Sequence, residues 1–144
     1  MRFDALSGAA RALWAKSGEP VGHGLLAHML DVAAVAERLL LREPSASLEW
    51  AGQCFALPPN ELPRVLATVI GLHDIGKAIA GFQDKWPQGR AADAAAGLQF
   101  PARLLAANQH DLASAEVLRR LLQPWFGDLA PLLAGAVAAH HGHF

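Results

Sequence analysis

Four histidines fall on the apolar stripes of four predicted helices, and one of them is followed directly by an aspartate. His28 continues Val21, Leu25, Val32 and Val35; His73 continues Leu62, Leu66 and Val69. His110 precedes Ala113, Val117 and Leu121, and His140 follows Leu133 and Val137. On a helix these spacings turn each imidazole inward. One inward histidine is ordinarily a hydrogen-bonded core residue. Four of them, joined by Asp74 and His141, point to a metal site in the core, because imidazoles and a carboxylate are costly to bury unless they bind something. Neutral imidazole suits Mn, Ni, Co, Fe or Zn better than Mg or Ca. One or two divalent transition-metal ions are therefore the expected cofactor. Asp74 has two oxygens and can bridge two metals about 3.5–4 Å apart, the spacing used by two-metal hydrolases.

Other residues join this constellation with less force. Lys77 follows His73 by four residues and points the same way, where it meets a phosphate oxygen or a leaving group; the plain alternative is a solvated lysine at a helix end. Asp31 follows His28 by three and is a candidate to orient an imidazole. Lys85 and Arg90 flank Trp86 in a less regular stretch, where a cation can hold a phosphate and an aromatic ring can stack a base. Arg119 and Arg120 read as solvated surface. His23 and His143 are expected outside the site, and Cys54 and the tryptophans are expected to pack.

The elements that must position these side chains are helical. A first helix is expected over residues 5–15, stopping before Gly18-Glu19-Pro20, and a second from about Gly24 to Arg42, ended by Pro44. A shorter one covers Leu48 to Phe55. Asn60 is the expected N-cap of the next, with Pro63 in its first turn, and this helix carries His73-Asp74 deep within it. Gly76 is expected to loosen its end. Residues 81–108 read as a short helix and a loop. The helix after His110 ends near Pro124, and the last starts at Asp128 and reaches His140-His141-Gly142.

Composition agrees with that reading. The chain has 144 residues, 53% hydrophobic and 17% charged, with no tyrosine, which suits one all-α domain with a real core. A net charge of -1 offers no strong electrostatic grip on a nucleic-acid duplex. The lone Cys54 makes no internal disulfide and suits a reducing cytoplasm. Nothing in the sequence resembles a signal peptide or a membrane span.

The order His28, His73-Asp74-Ile75-Gly76-Lys77, His110, His140-His141-Gly142 resembles the HD superfamily of metal-dependent phosphohydrolases. The details resemble one branch, the HD nuclease domain of the CRISPR-associated nuclease-helicase of type I interference. Leu13-Trp14-Ala15-Lys16-Ser17 and His28-Met29-Leu30-Asp31-Val32-Ala33 carry the branch likeness, together with Phe82-Gln83, Ala113-Ser114 and Ala139-His140-His141-Gly142.

The resemblance implies a single HD-type helical domain over residues 1–144, with the metal site at the centre of the bundle, cutting single-stranded DNA. It places one metal on His28, His73, Asp74 and a further aspartate, and a second on Asp74, His110, His140 and His141. Lys77 matches a lysine beside the scissile phosphate. The further aspartate of the family lies beyond the His-His pair and has no counterpart in these residues, and no Walker-type loop occurs in them. The chain is thus expected to be an N-terminal fragment of a longer nuclease-helicase, with the second metal better held than the first. Implied partners are single-stranded DNA, a helicase domain and the CRISPR RNA-guided surveillance complex. His-Asp geometry alone also serves an HD hydrolase acting on a nucleotide, or a non-catalytic HD binding module; the branch-specific stretches favour the nuclease.

Overall fold

The computed structural model describes residues 6–142, with the side chain of His141 outside that description. The chain is helical almost throughout. α1 (Gly8–Ala12) leads into a two-stranded antiparallel ribbon of β1 (Trp14–Lys16) and β2 (His23–Gly24). α2 (Leu25–Leu40), α3 (Ser45–Phe55) and α4 (Leu62–Gly71) follow, and α4 runs straight into a 3-10 segment, Leu72–Ala78. Three short helices come next: α5 (Ala80–Gln83), α6 (Pro87–Ala95) and α7 (Ala102–Leu105). The chain closes with α8 (His110–Phe126), α9 (Ala130–Ala138) and a 3-10 turn, Ala139–His141. Among the described residues, no helix is long and apolar enough to cross a membrane.

The bundle is organised around two helix pairs, α2 with α4 and α8 with α9, with the 3-10 segment wedged between α8 and α2. Val69, Leu118, Leu122, Ala130 and Ala134 form the buried core, flanked by Leu72, Ile75, Phe126, Leu133 and Val137. Small residues set the spacing. A Cβ at Gly71 would lie 2.7 Å from the Ala33 Cβ and 2.8 Å from the Met29 carbonyl oxygen, so α4 approaches α2 at backbone distance. A Cβ at Gly76 would overlap the His110 carbonyl oxygen and the Ser114 amide nitrogen. Gly76 therefore lets the 3-10 segment lie flat on the first turn of α8, rather than loosening a helix end.

Several expectations are corrected here. Leu13-Trp14-Ala15-Lys16 does not extend a first helix: α1 stops at Ala12 and Trp14–Lys16 is a strand, while residues 1–5 lie outside the described residues. Residues 81–108 hold three short helices rather than one helix and a loop. Asn60 is not the cap of α4; Glu61 is, with no side-chain capping bond. α8 does end close to Pro124 as expected, at Phe126, with Pro124 inside its last turn.

The stripes shift as well. Val21 lies before α2 and Val35 faces solvent, so His28 shares its inward face with Leu25 and not with them. On α8 the buried face is Ser114, Leu118 and Leu122, four residues apart in line with His110, whereas Val117 and Leu121 are exposed. α8 is apolar on both faces, which is why its pattern alone does not choose between the two.

Candidate metal centre

The His73-Asp74 pair lies in the 3-10 segment and not deep in an α-helix. With three residues per turn, side chains at i and i+3 eclipse one another. Lys77 is therefore aligned with Asp74 instead of His73, and its ammonium sits 2.6 Å from Asp74 Oδ2.

Asp74 is the centre of the site. It is buried, and its two oxygens face different histidines. His28 Nε2 and His73 Nε2 lie 2.9 and 3.2 Å from Oδ2. His110 Nε2 and His140 Nε2 lie 3.4 and 3.6 Å from Oδ1. Two donor groups result, His28/His73/Asp74 and Asp74/His110/His140, each with its ligand atoms within 4.8 Å of one another. They share only Asp74. The histidines come from α2, the 3-10 segment, the first residue of α8 and the turn after α9, so four separate parts of the chain converge on the site.

Two of the histidine rings, His73 and His140, are held in a metal-ready tautomer. His73 Nδ1 is 3.2 Å from the Ile70 carbonyl oxygen, and His140 Nδ1 is 2.7 Å from that of Val137. A carbonyl only accepts, so each Nδ1 carries the proton, and in the neutral ring Nε2 presents its lone pair. Lone pairs aimed at a carboxylate repel it unless a proton or cation lies between. Asp74 Oδ1 is buried with no hydrogen-bond partner among the described residues, which is the orphan that a bound cation would satisfy. Imidazole nitrogens with a carboxylate oxygen are the donor set of a divalent transition metal, and the residues fit such an ion.

The family described as "Cas3, HD domain" matches residues 14–144. The chain belongs to the Cas3 HD family. The "CRISPR-associated endonuclease/helicase Cas3" of Thermus thermophilus is 43% identical over 136 residues, covering 93% of this chain and 15% of the relative. A solved CRISPR-associated protein is 33% identical with a TM-score of 0.79, over 93% of this chain and 16% of its own. A solved Thermus thermophilus Cas3 HD domain, obtained in the presence of Ni2+, is 30% identical over 92% of this chain and 75% of its own, with a TM-score of 0.47. The chain thus spans under a fifth of the length of the curated relative it matches.

The electrostatics of this Cas3 HD site follow from its packing. Burial pushes the Asp74 carboxyl up, but hydrogen bonds from His73 and Lys77 outweigh it and hold the group well below the usual carboxylate range. The hydrogen bond to Asp74 raises His73, more than burial lowers it. Burial lowers His28, more than Asp74 raises it, so this imidazole favours its neutral form.

The structure brings His28, His73, Asp74, Lys77, His110 and His140 together. The His141 side chain and His143 lie outside the described residues. Lys85 stands one ring away: its ammonium donates to the Asn108 carbonyl at 3.0 Å and lies 5.1 Å from the Phe82 centroid, while Phe82 meets the His110 ring edge-on at 5.0 Å. Arg90 is drawn aside, paired with Asp84 and 5.1 Å over the Phe100 ring. Trp86 packs edge-on against Trp14. Arg119 and Arg120 both pair with Glu116 on the exposed side of α8.

Asp31 orients an imidazole, but that of His23 at 3.2 Å rather than that of His28. His23 in turn lies edge-on to His28, with centroids 5.9 Å apart, so it borders the site. Sequence reasoning named Ser114 within the Ala113-Ser114 likeness but gave it no role. Its hydroxyl accepts from the Gly76 N–H at 2.9 Å and fastens the 3-10 segment to α8. Its position four residues after His110 was the available signal.

Proposed function

We propose that this Cas3 HD domain is a metal-dependent nuclease that cleaves phosphodiesters of single-stranded DNA in type I CRISPR interference. The observation that carries the reading is the division of labour at Asp74, one oxygen to His28 and His73 and the other to His110 and His140. A carboxylate shared in this way suits two cations acting on one phosphate. His28, His73 and Asp74 would hold one, and Asp74, His110, His140 and His141 the other. When bound, the metal supplies a water of lowered pKa and neutralises charge on the phosphate oxygens.

The chain's own groups do the rest. Asp74 stays ionised, so its carboxylate is ready for the cations that would draw the four imidazoles toward it. Nδ1–H bonds to the Ile70 and Val137 carbonyls hold the His73 and His140 rings in place. Lys77, buried against Phe82, presents its ammonium beside Asp74, where it faces a phosphate oxygen or the departing oxygen. An open cleft of about 460 Å³ reaches His73 and His140 between Val32, Ile70, Leu133 and Val137, giving the site one apolar wall. Lys85, exposed and separated from His110 by the Phe82 ring, is proposed to hold a flanking phosphate, and Arg90 a further one. The family relationship supports a helicase domain and the RNA-guided surveillance complex as partners, and residues 1–144 as the nuclease part of a longer protein.

Cleavage of circular single-stranded DNA, compared between this chain and Asp74→Ala, tests the reading with Mn, Ni, Co, Fe(II), Zn and Mg. Nicking that requires a transition metal and vanishes in the variant is expected. Cleavage that survives in Asp74→Ala, or hydrolysis of free nucleotides with DNA left intact, would overturn it.

A further inference from the structure

Gln83 ends α5 at 1% exposure, with its amide oxygen and both amide hydrogens engaged. Oε1 accepts from the Trp14 backbone N–H at 3.1 Å, and Nε2 donates to the Trp14 carbonyl at 2.8 Å and the Lys77 carbonyl at 2.7 Å. Its own backbone carbonyl accepts from the Trp14 indole at 3.3 Å. The Lys77 carbonyl lies in the last turn of the 3-10 segment, where carbonyls lose their helical partners. Gln83 supplies that partner from another element, and it braces itself on β1 to do so.

The preceding residue meets the other end of the same lysine. The Lys77 ammonium lies 5.4 Å from the Phe82 centroid, and Phe82 packs on Trp14 with centroids 4.7 Å apart. One helical turn therefore grips Lys77 at its main chain and at its tip. Burying an amide this deeply is favourable only when its partners match it, and here the partners are three backbone groups of β1 and the 3-10 segment.

We infer that Gln83 is a positioning residue: it fixes the Lys77 main chain against β1, so that the Lys77 ammonium stays aimed into the metal centre beside Asp74. The inference rests on the proposed role of Lys77, and its test separates the two. Gln83→Met keeps the volume and removes all side-chain hydrogen bonds. Gln83→Glu keeps the bond from Trp14 N–H and removes both donors, and it carries the same readouts if Gln83→Met loses its fold.

The first readout needs no activity. Acylation of the Lys77 amine in the metal-free protein, followed by mass spectrometry, should speed up by about tenfold, the scale of one lost buried hydrogen bond. Unchanged labelling in a folded variant overturns the inference. The second readout is a double-mutant cycle on DNA cleavage. Gln83→Met should lower kcat by about tenfold with KM unchanged, and should lower it no further when Lys77→Met is already present. Equal losses in both backgrounds would assign Gln83 a general structural role and overturn the inference. Faster labelling, with cleavage indifferent to Lys77→Met, would support the positioning by Gln83 and remove Lys77 from the reaction.

Discussion

The Lys77 ammonium lies 2.6 Å from Asp74 Oδ2, the same oxygen toward which His28 and His73 turn. An ammonium and a divalent cation compete for that oxygen and repel one another. Lys77 therefore opposes binding on one side of the site while standing ready to stabilise charge on the substrate. Lys77→Met should bind Mn more tightly than the parent in calorimetry, yet cleave about 10²-fold more slowly, the usual loss for one electrostatic donor. Weaker binding together with slower cleavage would mean that Lys77 serves to build the site and not to act in it.

The same competition orders the filling of the two donor groups. Asp74 Oδ1 faces His110 and His140 without an ammonium against it, so this side should fill first. His140→Ala should abolish the tighter of two calorimetric binding steps, and His28→Ala only the weaker. The reverse pattern would show that repulsion from Lys77 does not govern affinity.

The centre was legible in the sequence because it is made of scarce residue types that all turn inward, even though the apolar stripes drawn around them were only partly right. What was not legible depends on contacts between distant residues. His73-Asp74 sits in a 3-10 segment because Gly76 must lie against the His110 carbonyl, and no local pattern reports that neighbour. Trp14–Lys16 forms a strand because its backbone is bonded to β2 and to the Gln83 amide, 69 residues away. The His110 stripe was misread by one residue because α8 carries apolar side chains on its solvent face too, Leu112 and Trp125 among them. The 3-10 geometry also moved Lys77 from His73 to Asp74, a change of partner that decides its chemistry.

Gly76 gives the close approach a direct test. An alanine Cβ would overlap backbone atoms of both His110 and Ser114, which no rotamer change relieves. Gly76→Ala should lose about 3 kcal/mol or more in urea denaturation and should lose metal binding with it. An unchanged midpoint would show that α8 can shift away from the 3-10 segment freely.

His73 and His28 should respond to pH with opposite signs in the metal-free protein. The His73 value is raised above 6.5 by its hydrogen bond to Asp74, so its stabilisation is complete below pH 6.5 and is lost as pH rises through the raised value. The His28 value is lowered by burial, so the unfolded chain takes up a proton that the folded one refuses, and stability falls as pH drops below 6.5. Melting in EDTA should show the deficit of His73→Gln shrinking as pH is raised from mildly acidic to mildly alkaline. The deficit of His28→Gln should shrink in the other direction. Parallel trends in both variants would contradict the assignment.

Asp93 offers a test outside the centre. It lies on α6 at 0% exposure, and neither carboxyl oxygen has a hydrogen-bond partner among the described residues. Burial alone pushes its value from 3.8 to about 6. A raised carboxyl binds its proton more tightly in the folded state, so the penalty is absent below pH 3.8, grows between 3.8 and about 6, and is complete above that. Asp93→Asn keeps the shape and removes the charge. It should match the parent near the lower of those values and melt at a higher temperature well above the upper one, because only the parent must bury an unpaired carboxylate there. A variant less stable than the parent at that higher pH would mean that the ionised carboxylate is satisfied in solution, and that its charge supports the fold of α6.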